Sequence, residues 1–198
     1  MQRDDTARWC RLPGPVGAVF LRLIGCIDQC YDFLIDHSRT RPSVILPAQE
    51  IRRLRPLDPF VERKIAFGTT YGLGPAGYDV RIAETIWLWP GRFLLASTIE
   101  HFDMPNDVMA IVHDKSTWAR RGVAVQNTVI EPGWRGWLTL EITMHAWRLL
   151  RIRSGTPIAQ IVFHRLEAPT ERSYQGKYQD QPRGPQPAIR ERDTQISN

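Results

Sequence analysis

Glu141 lies in the run Leu138-Thr139-Leu140-Glu141-Ile142. The apolar residues alternate with Thr139 and Glu141, the period of a half-buried strand, so the carboxylate shares a face with the threonine. One carboxyl so placed can take a proton from water and later hand it to a departing group. Taken alone, such a glutamate is more often a solvated residue on a strand face. A second set of polar residues is Lys115-Ser116-Thr117-Trp118-Ala119-Arg120-Arg121-Gly122. On a helical turn Ser116 and Arg120 share one side, with Lys115 and Arg121 adding charge nearby. Backbone N–H groups at a helix start, joined to such side chains, suit phosphate oxygens. The plainer reading is a capped surface helix. Trp134 follows the Pro132-Gly133 turn and reads by itself as a core or interface aromatic.

Zinc-dependent base deamination uses H-x-E and P-C-x-x-C. None of the five histidines has Glu two residues on, and Cys10, Cys26 and Cys30 all precede the apparent core. The residues therefore predict no zinc site. Three cysteines without framework spacing point away from a disulfide scaffold and toward a reducing, cytoplasmic setting. The net charge is +5, which suits an anionic partner. The arginines are dispersed rather than clustered, so a phosphorylated small molecule is expected and nucleic acid is not. No apolar run approaches a membrane span, and Arg22 interrupts the stretch Val16–Ile27 without an A-x-A-like site after it, so neither a membrane nor a signal peptide is expected.

The elements that must position these residues read as mainly β. Fifteen prolines and fourteen glycines punctuate short apolar or alternating runs. These runs are Tyr78–Ile82, Ile86–Trp89, Phe93–Ser97, Val108–Val112, Val123–Val125, Leu138–Ile142, Leu149–Ile152 and Ile158–Phe163, a pattern that predicts a sandwich or barrel. A short helix is expected over Ala48–Leu54, with Ser43 as a candidate N-cap, and a helical turn over Ser116–Arg121. Residues 1–42 stand apart as an extension. Val19, Leu23, Ile27, Tyr31 and Leu34 recur at helical spacing. That extension is either a helix packed on the domain or a partner, or a stretch upstream of the functional start. Residues 43–170 form the expected core. Residues 171–198 are polar and read as a flexible tail or lid, unable to form a core alone.

Five motifs resemble, in order, those of the dCTP deaminases. The 115–122 segment resembles R-S-S-L-A-R-x-G. Ile130-Glu131-Pro132-Gly133-Trp134-Arg135-Gly136 resembles I-D-P-G-W-x-G, and Leu138–Ile142 matches the strand after it. Gly155-Thr156-Pro157-Ile158-Ala159-Gln160-Ile161 resembles G-M-x-I-A-Q-L, and Gly176-Lys177-Tyr178-Gln179-Asp180-Gln181 resembles G-K-Y-Q-x-Q. Ala76-Gly77-Tyr78-Asp79-Val80 looks closer to the related dUTPases. The resemblance implies a distorted β-barrel or jelly roll of the dUTPase-like type. It also implies a homotrimer with sites between subunits, and zinc-independent deamination of dCTP to dUTP.

By that resemblance Glu141 is the catalytic carboxylate. Ser116 and Arg120 contact phosphate, and Lys115 replaces the usual arginine, keeping charge without the bidentate fork. Trp134 packs beside the sugar, and Glu131 replaces an aspartate near it. Tyr174, Lys177 and Gln181 belong to a tail that closes over the triphosphate. Mg2+ arrives with the nucleotide, no protein metal ligand is implied, and dTTP is a candidate inhibitor. Only seven residues separate Gly122 from Ile130, a dUTPase-like hairpin length, and Gln126 and Asn127 are expected at the base. The alternatives are a dUTPase, or a bifunctional enzyme that carries dCTP through to dUMP with release of pyrophosphate. A silent nucleotide sensor of the same fold is a further one.

Overall fold

The computed structural model describes residues 44–190. The expected helical extension over residues 1–42, and Ser43, lie outside the described residues, as do residues 191–198. Helix α1 (Ala48–Leu54) forms where expected. Its N-cap position is Pro47, which offers no side-chain cap, so the helix starts later than a cap at Ser43 implies. It is held instead by Ile51, fully buried beneath it. Arg55 ends it in the left-handed region, and Pro56 cannot continue it.

Twelve strands follow. They are β1 (Leu57–Asp58), β2 (Lys64–Ala66), β3 (Thr69–Gly74), β4 (Gly77–Arg81), β5 (Ile86–Leu88), β6 (Phe93–Asp103) and β7 (Val108–Asp114). After the helical turn α2 (Ser116–Ala119) come β8 (Val123–Val125), β9 (Val129–Ile130), β10 (Arg135–Met144), β11 (Leu150–Ile152) and β12 (Pro157–Arg165). All eight expected strands are present. The structure adds β1, β2, β3 and β9, and β6 and β10 run further than the apolar pattern reaches.

The strands make a six-stranded sheet in the order β2-β3-β4-β12-β7-β9, a four-stranded sheet β1-β6-β10-β8, and a pair β11-β5. A bridge between Ile82 and Thr98 joins the two larger sheets at one end. The result is the mainly β, curled barrel-like architecture that the punctuation of the sequence predicts. One core fills it, from Tyr78 and Val80 of β4 and Ile161 and Phe163 of β12 to Phe102 of β6 and Leu140 and Ile142 of β10, each almost fully buried. Burying one such side chain contributes about 1.5–3 kcal/mol. Strand β10 divides its two faces between core and site. Gly136, Leu138, Leu140, Ile142 and Met144 are buried, and Trp137, Thr139, Glu141 and Thr143 occupy the other face, half-buried.

Candidate active site

A cavity of about 530 Å³ opens on that second face of β10. Glu141 and Thr139 line it from β10. Phe93 and Leu95 line it from β6, where Leu95 is the cross-strand partner of Glu141. Thr128, Val129 and Ile130 come from the hairpin around β9, Glu131 and Trp134 from the turn before β10, and Tyr174, Tyr178 and Gln181 from the tail, with Gln186-Pro187-Ala188 as a further edge.

Glu141 Oε2 is buried and has no hydrogen-bond partner. Burial pushes the Glu141 carboxyl above its ordinary value, and only a weaker backbone hydrogen bond opposes this. A carboxyl held in apolar surroundings with an idle oxygen is equipped to take and return a proton nearer neutral pH than an exposed glutamate. The hairpin is tied directly to it, since the Gln126 N–H donates to the Glu141 carbonyl at 3.0 Å. The side chains of Gln126 and Asn127 are exposed, and it is Thr128 and Val129 that reach the cavity wall.

Of the residues that the sequence singles out, the structure brings Glu141, Glu131, Trp134, Tyr174 and Gln181 to one cavity. Glu131 is exposed at its rim. Trp134 is buried, its ring 6.0 Å from that of Phe102, and its indole N–H donates to the Tyr178 carbonyl at 2.7 Å. Gln181 is buried and donates to the Trp137 carbonyl and to Thr139 Oγ1. Lys177 is exposed in the tail, its ammonium 5.4 Å from the centre of the Tyr178 ring, and does not line the cavity.

The residues expected to hold phosphate are elsewhere on the chain. Turn α2 is fixed by the buried Trp118, whose indole N–H donates to the Pro157 carbonyl, and by Asp114 Oδ1, which accepts from the Val125 N–H. This anchoring leaves Ser116 and Arg120 exposed. Lys115 differs from the expectation. Its ammonium turns inward and pairs with Asp79 Oδ2, with both side chains nearly buried. A phosphate contact from Lys115 would share an ammonium already engaged by Asp79 and Thr70. Burial raises the Asp79 carboxyl, and the hydrogen bond and charge of Lys115 oppose the rise. No lysine or arginine is among the cavity-lining side chains of the described residues.

Sequence reasoning misses Tyr178 and residues 186–188 as parts of the wall. It puts Thr139 on the face of Glu141 but assigns it no role, although the two-residue spacing itself is the signal. For residues 186–188 there is no signal, because a polar, proline-broken stretch carries no periodicity.

Known proteins match this chain along the same elements. The family model described as dCTP deaminase-like matches residues 78–166. The dCTP deaminase of Campylobacter fetus is 35% identical over 158 residues, covering 63% of this chain and 85% of that protein. The dCTP deaminase of Acidobacterium capsulatum is 32% identical over 158 residues, covering 63% and 86%. Among solved structures, the 2′-deoxycytidine 5′-triphosphate deaminase of Agrobacterium tumefaciens superposes with a TM-score of 0.52 at 19% identity. It covers 62% of this chain and 47% of that one, a likeness of fold.

Proposed function

Because the chain belongs to the dCTP deaminase family, we propose that it converts dCTP and water to dUTP and ammonia in the cytosol, with Glu141 moving the protons. The observation that carries this reading is the buried, unpartnered Glu141 oxygen on the wall of a nucleoside-sized cavity. Glu141 takes a proton from water as the water oxygen bonds to C4 of cytosine. It then delivers that proton to the exocyclic nitrogen, the C4–N bond breaks as the C4=O bond forms, ammonia leaves, and the remaining proton of the former water passes to N3. A raised carboxyl value favours both halves, since the group must accept a proton in one step and release it in the next.

The substrate enters as a Mg2+–triphosphate, the ion held by phosphate oxygens and water. Among the described residues no group of three or more His, Cys, Asp or Glu side chains could hold a metal ion.

The triphosphate needs cations, and the lining side chains supply none. The exposed Ser116 and Arg120 are suited to serve a cavity other than their own chain's, which supports a homotrimer with sites shared between neighbours. The short Gly122–Ile130 hairpin favours a second reading, in which dUTP is also hydrolysed.

One experiment tests both. Purified protein with Mg2+ is given dCTP, dUTP or dTTP, and ammonia, pyrophosphate and nucleotide products are quantified. Ammonia and dUTP from dCTP are expected. Pyrophosphate from dUTP without ammonia from dCTP would replace the proposal with a dUTPase, and inertness toward all three would leave a nucleotide sensor.

A further inference from the structure

The turn that borders the cavity also holds the tail. The Pro132 carbonyl accepts from the Tyr174 N–H at 2.9 Å. The Gly133 carbonyl accepts from Gln179 Nε2 at 3.0 Å. Trp134 Nε1 donates to the Tyr178 carbonyl at 2.7 Å. Arg135 donates its N–H to Gln179 Oε1 and pairs with Asp180 through Nε. Gly136 bridges Gln181, and the Trp137 N–H donates to the Gln181 carbonyl at 3.1 Å. Thr139 Oγ1 accepts from both Gln181 Nε2 and the Gln186 N–H, at 2.6 and 3.0 Å.

Six consecutive residues, 132–137, and then Thr139 thus grip the tail. Gly136 is essential to the fit. Its φ of +147° lies in the region glycine favours, and a Cβ there would stand 2.7 Å from the Gln181 backbone nitrogen. The tail so placed carries Gln186-Pro187-Ala188 to the wall that includes Glu141.

We propose that residues 132–139 are a clasp for the chain's own tail, and that Trp134 is its positioning residue. The indole acts on the reaction through Tyr178, setting the register in which the tail covers Glu141. This use of the cavity rests on the deaminase reading, whereas the clasp itself does not. A Trp134 that only packs against substrate would leave its N–H idle, but here the N–H is committed to the tail.

The test uses the full chain without nucleotide. Trp134→Phe keeps a ring against Phe102 and removes one donor. When opening is fast, cleavage follows the open population. Trypsin nicking after Lys177 and Arg183 should therefore rise roughly fivefold, the usual worth of one hydrogen bond. Amide exchange at residues 178–181 should rise in parallel, and kcat/KM for dCTP should fall by a similar factor. Gln181→Ala attacks the clasp from the tail and leaves every barrel side chain in place, so it decides the matter if the Trp134 variant misfolds. Its nicking should also rise. A folded Trp134→Phe with a changed KM and unchanged nicking and exchange would overturn the proposal, as would unchanged nicking in Gln181→Ala. Because nicking is read without nucleotide, failure of the clasp and failure of the deaminase assignment are separate results.

Discussion

Glu141→Gln should abolish chemistry and stabilise the fold. The substitution keeps the shape of the side chain and removes the carboxylate proposed to accept water's proton. General acid–base catalysis contributes about 10²–10⁴-fold, so turnover should fall by at least that much, about 3–5 kcal/mol of barrier. The structure adds a second consequence. Burial raises the Glu141 carboxyl above its ordinary value of 4.5. The folded protein therefore binds this proton more tightly than the unfolded chain does. Stability falls as pH rises from near 4.5 through the raised folded value, and the cost is then constant at higher pH. An amide carries no such cost. Glu141→Gln should melt at or above wild type at pH 8, with the difference shrinking near pH 4. The assays are single-turnover ammonia release from dCTP and thermal unfolding at the two pH values. Near-normal deamination would refute the role of Glu141. A variant less stable at pH 8 than at pH 4, relative to wild type, would refute the burial argument.

If Arg120 holds phosphate as proposed, Arg120→Ala removes a charge-assisted contact worth about 1.5–3 kcal/mol, and calorimetry should show dCTP binding weakened roughly 10- to 150-fold. Glu141→Gln should bind nearly as wild type. Mixing unfolded Arg120→Ala and Glu141→Gln chains and refolding them together should restore part of the deaminase activity if sites are shared between neighbours, and none if each chain holds a complete site. Arg81→Met removes the guanidinium that pairs with Glu100 Oε1 and leaves the buried carboxylate, on Oε2, only the backbone N–H of residue 81. Denaturant unfolding should show a loss of about 3–5 kcal/mol. Deleting residues 1–42 should leave dCTP turnover largely intact, because every matched motif lies after Ser43; loss of assembly by light scattering would contradict this.

The legible parts of the fold are those where apolar burial alternates along a strand. Strand β10 shows it best, with Leu138, Leu140 and Ile142 inward and Thr139 and Glu141 toward the cavity. Strand β6 is legible only to Ser97 because buried Thr98 and Glu100 break the apolar pattern. Glu100 is tolerated inside through Arg81, nineteen residues away, whose backbone N–H and Nε both donate to its carboxylate. Strands β1 to β3 are hidden by Pro56, Pro59, Gly68 and Gly72 and by exposed Lys64 and Ile65. The cavity's carboxylate and its Trp134 are legible through spacing and motif. The tail is legible only through the motif that singles out Tyr174 and Gln181; how it docks is not, since it docks by hydrogen bonds to backbone and side chains rather than by a hydrophobic stripe. Composition therefore describes a segment without a core of its own and is silent about its seat on the barrel. The inward turn of Lys115 is equally invisible, because its partner lies 36 residues earlier in the chain.

The buried pair of Lys115 and Asp79 has a consequence for segment exchange. Asp79 belongs to one motif of the barrel and Lys115 opens another, and Asp79 Oδ1 already lacks any partner other than the charge beside it. Replacing either residue alone leaves a nearly buried charge without its partner. Exchanging Lys115 for arginine demands room for a larger, planar group against Asp79. Losing the cation outright strands a carboxylate in the interior. A chimera that imports the 115–122 segment from a relative should therefore fail unless position 79 and its surroundings travel with it. The two positions act as one energetic unit, though the sequence writes them far apart.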